Sequence, residues 1–276
     1  MLMEPLGDRR AAALLVRSAI ASVRQHGAVR DYFETHGNWE APMRHRFFDL
    51  RERWRAGDQM TRDVAARLLA HLNGRYATRH SSADLPHLCD ATLEGLGQSG
   101  WLENEPAALL GASDESLKGL AELLETILEE AQARGCRKRP YVLATKFLHF
   151  CFPQSFAISD AQARVSMEAW AKVALDPQIH DERVRLGRLN ANWMGDTSGR
   201  GYIGVLEFYR GLWDSIDDQA RAELSKAAEE LTEFVRAHEG ARNAYVGVLD
   251  VLDKHLWHGN GDLTELLGQT PASSTP

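Results

Sequence analysis

Long hydrophobic runs are missing from this sequence. No stretch approaches the roughly 18 consecutive apolar residues that a bilayer-spanning helix needs, so no membrane span is expected. The first residues carry Glu4 and Pro5, and the apolar run from Ala11 to Ile20 is broken by Arg17. No secretory leader is therefore expected, and the compartment read from the sequence is the cytosol. Cysteine is scarce. Cys89, Cys136 and Cys151 are odd in number and far apart, which excludes a disulfide framework, offers no metal-binding spacing and predicts reduced thiols. No segment alternates apolar and polar residues as a half-buried strand would. Lysine is absent from the first 80 residues, where all fourteen basic residues are arginine against nine acids. The remainder holds the acidic surplus that brings the whole chain to −7, which argues against strong non-specific binding of nucleic acid but leaves room for a local basic face.

What is present is helical period. Apolar residues recur at helical spacing in segment after segment, and the expected fold is all-α, an irregular multi-helix bundle of roughly ten or more helices. No fixed-period repeat marks a solenoid. The polar stretch from Ala77 to Asp84, where composition and charge both change, divides the chain into an Arg-rich N-terminal helical subdomain (1–80) and a main helical domain (81–268). Residues 269–276 read as a disordered tail.

Glycine and proline set the expected helix limits. Gly37 ends a helix begun at Ala28, and a separate helix runs from Pro42 to Ala56 with Phe47, Leu50 and Trp54 on one stripe. Arg44, Arg46, Arg51, Arg53 and Arg55 surround that stripe and predict a solvated, salt-bridged face, with an anionic-ligand surface as the alternative. Ser113 caps a helix reaching Ala133. Further helices are expected over Asp181–Trp193 and Asn243–Trp257, and Ser215 and Asp218 stand at capping-box spacing for another. Gly95, Gly97 and Gly100 have dinucleotide-loop spacing, but no strand precedes them, which excludes that motif.

The most apolar and aromatic part of the chain is Pro140 to Trp170, PYVLATKFLHFCFPQSFAISDAQARVSMEAW. It reads as helix, sharp loop and helix. Pro140 suits a first helical position, and Pro153 ends that helix near Phe152. Lys146 falls on or beside the buried face, and His149 follows three residues later on the same side. Ser159 or Asp160 caps the second helix, where a carboxylate is favoured by the free N–H groups and the dipole. Lys146, Asp160 and His149 are thus the candidate catalytic residues. A partly desolvated lysine is a nucleophile, whereas a lysine paired with a capping aspartate fixes the angle between two core helices.

A lysine in one helix, an apolar loop and an Ile-x-Asp opening the next helix resembles the catalytic region of helix-hairpin-helix DNA glycosylases. The resemblance covers Pro140 to Trp170, with Gly135–Arg139 standing where that family carries its hairpin. It implies a DNA-processing enzyme in which Lys146 attacks the sugar and Asp160 assists. Arg30 and His36, as Arg-Asp-x4-His, resemble the motif of HEPN ribonucleases and imply a helical nuclease.

Arg137, Lys138 and Arg139 lead into the central stretch, and Arg200 lies in the glycine-rich MGDTSGRGYIG. These four are the candidate anion or nucleic-acid contacts. His255 and His258 beside Asp250 and Asp253 are read as structural, so no metal and no cofactor are expected. The reading reached from sequence is a helical binding or interaction protein of unassigned role. A glycosylase-like enzyme and a HEPN-type nuclease are the alternatives, and nucleic acid is the candidate partner.

Overall fold

The computed structural model describes residues 6–25, 27–58, 60–76, 78–101, 104–174 and 196–258. They form ten α-helices with no strand among them: α1 (Leu6–Arg24), α2 (Ala28–Arg55), α3 (Thr61–Arg75), α4 (Leu85–Gln98), α5 (Asp114–Ala133), α6 (Tyr141–Cys151), α7 (Ala161–Ala174), α8 (Gly199–Asp214), α9 (Asp218–Arg236) and α10 (Val248–His258). The expected all-α architecture is what the described residues adopt. The helix read over Asp181–Trp193 and the tail at 269–276 lie outside the described residues. Among the described residues no helix is long and apolar enough to cross a membrane.

Helix α6 lies at the centre because its sequence is apolar on nearly every side. Ten of its eleven residues are buried, so Lys146 and His149 are carried inside with Leu143, Phe147 and Phe150. Helices α2, α3 and α5 pack against α6, while α10 packs against α1, α2, α7 and α9. One hydrophobic core runs from Leu15 on α1 through Phe47 on α2 and Phe147 on α6 to Leu252 on α10.

Local chemistry accounts for several boundaries. Ser113 caps α5 by accepting from the Ser116 N–H at 3.1 Å, as its position predicts. The break expected at Gly37 is absent, and α2 runs unbroken for 28 residues through Gly37 and Pro42. Gly37 serves packing, since a Cβ there would stand 2.7 Å from the His238 imidazole. The cap of α9 is Asp217, which accepts from the Ala220 N–H at 2.8 Å, rather than Ser215. The last helix starts at Val248 and not near Asn243. There Asp250 reaches back to accept from the Gly247 N–H at 2.8 Å, which fixes the first turn.

The glycine-rich stretch before α8 is a close helix contact. A Cβ at Gly199 would lie 2.6 Å from the Ala121 carbonyl oxygen and 3.0 Å from Glu125 Cβ on α5. Both neighbours are fixed by their helix, so Gly199→Ala is expected to force α5 and α8 apart and cost about 2–3 kcal/mol. Urea unfolding measures it. A cost below roughly 0.5 kcal/mol, the size of an ordinary surface substitution, would show that the two helices are not held at this spacing.

Candidate functional site

Two places combine unusual chemistry with defined geometry. The first is a charge network inside the core. On α2, Glu40 and Arg44 are four residues apart and both buried, so their side chains share one face. Arg44 Nη2 donates to Glu40 Oε1 at 2.7 Å and to Asp250 Oδ1 of α10 at 2.6 Å. Its Nη1 donates to the Tyr245 carbonyl at 3.0 Å. Glu40 also accepts from the hydroxyls of Tyr32 and Tyr76, the latter at 3.0 Å. His149 on α6 joins Asp250 Oδ1 through Nε2 and the Phe156 carbonyl through Nδ1, each at 2.7 Å. Both of its ring nitrogens therefore face oxygen atoms.

A second group adjoins this one. Lys254 Nζ sits 3.2 Å from Asp253 Oδ2 and 4.6 Å from the centre of the Tyr32 ring. Lys146 Nζ lies 3.4 Å from Asp160 Oδ2 and 4.0 Å from the centre of the Tyr76 ring. Asp160 uses its two oxygens differently: Oδ1 caps α7 by accepting from the Ala163 N–H at 2.9 Å, and Oδ2 faces the lysine. The network therefore sets the carboxylates Glu40, Asp160, Asp250 and Asp253 against Arg44, Lys146, Lys254 and His149. Four acids face four basic groups, which keeps the uncompensated charge in the core small.

Burial and pairing pull the ionisations in opposite directions. For Asp250 and Glu40, burial is the largest single influence and would raise the pKa. Arg44, acting with His149 at Asp250 and with Lys254 and the Tyr32 hydroxyl at Glu40, outweighs it, and both carboxylates are held below the usual range. For Asp253, burial dominates over the attraction of Lys254 and the carboxyl is pushed up. For Lys146, burial again dominates, and its ammonium is pushed below the usual lysine range despite Asp160. Burial raises the Tyr76 hydroxyl, so it stays a donor to Glu40.

The direction at Lys146 carries a stability prediction. A lysine whose folded pKa is depressed is held less well as a cation in the folded state than in the unfolded one. Its charged form is a net cost at neutral pH, and stability rises as pH increases from its folded pKa toward the ordinary lysine value. Lys146→Met should therefore leave the fold intact and be at least as stable as the parent at pH 7. It should also flatten the alkaline rise in stability relative to the parent. Urea melts at several pH values measure both, and a loss of more than about 1 kcal/mol would mean that the pair with Asp160 holds the helices together.

The second place is a groove on the surface between α2 and α3. It has a volume of about 540 Å³ and is lined by Arg46, Asp49, Arg53, Met60, Val64, Arg67, Leu68 and His71. Three guanidinium groups and an imidazole rim an apolar floor, against one carboxylate. Among the described residues neither Arg46 nor Arg67 forms an ion pair, while Arg53 meets Asp58 at 3.0 Å and Asp49 meets His45 at 3.5 Å. His71 Nε2 is buried with no hydrogen-bond partner. Arg46 and Asp49 also line an adjoining concavity of about 630 Å³ along α2.

The other arginines of α2 take structural work. Arg51 and Arg55 converge on Glu105 at 3.0 and 2.9 Å, as the salt-bridged reading expects. Arg44 departs from it, since its position on the inner face of α2 takes it into the core. Arg139 is tied to Glu125, Gln132 Oε1 and the Thr197 carbonyl, so it clamps the start of α8. Arg137 reaches Asp84 at 3.6 Å and remains largely exposed, as do Lys138 and Arg200. None of these four lines the groove. The N–H groups opening α8 are engaged by Glu125 and Ser198.

Lys146 and Asp160 are brought together, as their spacing predicts, and His149 is turned toward Asp250. Lys146 is only 5% exposed. Arg30 is bonded to Glu34 and lies 3.6 Å over the Phe234 ring, while His36 stacks on Tyr32. Asp250 is engaged with Arg44 and His149, and Asp253 with Lys254. Among the described residues, His80, Asp84 and Cys136 form one group able to hold a metal ion.

Sequence reading missed Glu40, Arg44, Asp250 and Lys254 as members of a network. A signal was present: Glu40 and Arg44 interrupt the buried face of α2 at i, i+4, among Ala41, Met43 and Phe47. The groove was missed because Arg67 and His71 lie on α3 with no local pattern to mark them, and they face Arg46 and Arg53 only once α3 packs on α2. Comparison with protein-family models, curated proteins and solved structures finds no match to this chain.

Proposed function

We propose that this chain is a helical binding protein that takes a phosphate-bearing strand, such as single-stranded nucleic acid, in the groove between α2 and α3. The observation that carries this reading is the pair Arg46 and Arg67. Each is exposed, free of ion pairs among the described residues, and set at the rim of an apolar-floored groove. Guanidinium groups match phosphate oxygens in a fork geometry. The floor of Met60, Val64 and Leu68 offers apolar contact to bases between the phosphates. Met60 is 49% exposed, an unusual position for so large an apolar side chain. The test is fluorescence anisotropy with a labelled single-stranded oligonucleotide at low and moderate salt. Binding that weakens with salt and falls at least tenfold in the double variant Arg46→Ala, Arg67→Ala supports the reading. Equal affinity in that variant removes it.

A second reading rests on Lys146 and Asp160. An amine 3.4 Å from a carboxylate, with burial pushing it toward the neutral form, has the character of a nucleophile. The glycosylase resemblance points to the same two residues. This chemistry requires Nζ to reach a substrate carbon. At an abasic site the amine would add to the sugar aldehyde and lose water to form an imine, which borohydride reduces to a stable adduct. An adduct with abasic DNA that is lost in Lys146→Met supports this reading, and none across several damaged substrates ends it.

A further inference from the structure

The loop before α4 and the loop after α5 meet at one point. His80 lies in the first loop, Asp84 stands at the N-cap position of α4 with its carboxylate not used as a cap, and Cys136 follows α5. One ring nitrogen of His80, one carboxylate oxygen of Asp84 and Cys136 Sγ lie within 4.8 Å of one another. We propose that these three residues bind a thiophilic divalent cation of the zinc type, which ties the end of α3 to the connection between α5 and α6. The sequence hides this, because Cys136 has no nearby cysteine or histidine at metal-binding spacing.

Each ligand is held by its own backbone. The main chain of His80 is clamped by Asn73, whose Oδ1 accepts from the His80 N–H at 3.0 Å while its Nδ2 donates to the His80 carbonyl at 2.9 Å. Asp84 is buried and accepts from the Arg137 N–H at 3.3 Å. Cys136 follows Gly135, which takes a left-handed turn with φ +110°, and its N–H donates to the Ala131 carbonyl at 3.0 Å. The turn that closes α5 thereby places Sγ within reach of the other two ligands, and in the unbound chain its S–H donates to the Lys138 carbonyl at 3.2 Å, a bond that metal binding replaces.

Two further observations point to a ligand. His80 Nδ1 is buried with no hydrogen-bond partner, an expensive state for an imidazole nitrogen unless something occupies it. The donor set is also selective. One nitrogen, one oxygen and one sulfur suit zinc, whereas calcium and magnesium take oxygen alone. Zinc bonded at about 2.0–2.3 Å to each atom requires them about 3.5 Å apart. Small side-chain rotations close that difference. Arg137, at 3.6 Å from Asp84 and 72% exposed, can swing into solvent as the cation arrives. Three protein ligands leave the fourth position to water. On binding, the Cys136 S–H bond breaks, its proton passes to buffer and the sulfur–metal bond forms, with no change in oxidation state.

Cobalt(II) titration of the full chain, read by absorbance, tests this. A thiolate ligand gives a near-ultraviolet sulfur-to-cobalt charge-transfer band, and a low-coordinate site gives visible bands. One equivalent is expected to saturate both, zinc to displace cobalt, and magnesium to leave them unchanged. Cys136→Ser should abolish the charge-transfer band, while Cys89→Ser and Cys151→Ser retain it. Should Cys136→Ser fail to fold, Asp84→Asn and His80→Gln keep the thiol and should each weaken affinity at least tenfold. No charge-transfer band in the parent protein, or a band that survives Cys136→Ser, would overturn the site. Unchanged affinity in both Asp84→Asn and His80→Gln would overturn it equally.

Discussion

Replacing Arg44 with methionine is expected to destabilise the protein by about 3–5 kcal/mol, the usual cost of stranding a buried charge partner. Among the described residues, Arg44 is the one cation that touches both Glu40 and Asp250. All three side chains are shielded from solvent, with Arg44 at 3% exposure and both carboxylates at 0%. Methionine fills a similar volume, so little of the loss comes from a cavity. What is lost is the attraction that keeps the two acids ionised against burial. The sign of the pH dependence follows. Both carboxylates have folded pKa values below their unfolded ones, so their contribution is present above the unfolded carboxylate range and disappears only as pH falls through the depressed folded values. In Arg44→Met that support is withdrawn, burial then dominates at Asp250 and Glu40, and stability should fall as pH rises from 5 to 7. Glu40 and Asp250 contribute no such fall in the parent, so the variant's slope is read relative to the parent's over the same interval. Urea unfolding of both proteins across the range measures magnitude and slope. A loss under about 1 kcal/mol, the scale of an exposed ion pair, would mean that the network is wetter than its packing indicates. The triple change Glu40→Gln, Arg44→Met, Asp250→Asn removes the charges together and should recover part of the loss.

Charge reversal in the groove should have the largest effect on binding. Arg46→Glu with Arg67→Glu is expected to lower affinity for a single-stranded oligonucleotide by about 100-fold at low salt, corresponding to about 2.7 kcal/mol. Two phosphate contacts are lost and two repulsions gained. The parent should also show a logarithmic salt slope of about −2, as three arginines meeting a single strand would give. His71 adds a pH signature. Burial, with Arg75 and Arg46 behind it, holds its pKa below the usual histidine value, so the ring is neutral in the free protein at pH 7. Around it stand Arg46, Asp49 and Arg53 on α2 and Arg67 and Arg75 on α3. A bound phosphate offsets the repulsion from those arginines and raises the His71 pKa. Binding then takes up a proton, and affinity should increase as pH falls from 8 to 6. His71→Gln should bind with a flatter pH profile. An affinity that is independent of pH and salt in the parent would refute the electrostatic basis of this site.

Much of the local structure was legible from the sequence, and particular residues show why. Ser113 and Asp160 cap helices because a short polar side chain at a helix start bonds the free N–H groups wherever it occurs. Lys146 and Asp160 meet because one helix, one short loop and a second helix leave few arrangements. Gly37 misled, since a helical glycine can end a helix or make room for a neighbour. Here the neighbour is His238, two hundred residues further along the chain. Asp217 took the cap expected of Ser215 for a similar reason: Ser215 is used to end α8, which is decided only when that helix is placed.

Helical period, capping residues and the apolar centre at α6 are properties of neighbours in sequence, and they determined the all-α class and the pairing of Lys146 with Asp160. Long-range packing decided the rest. Arg44 meets Asp250, His149 meets Asp250, and Cys136 meets His80 only after α2, α6 and α10 and the loops flanking α4 and α5 have packed. The electrostatic energy of such groups depends on which charges burial brings within a few ångströms. Spacing along the chain carries no record of that distance.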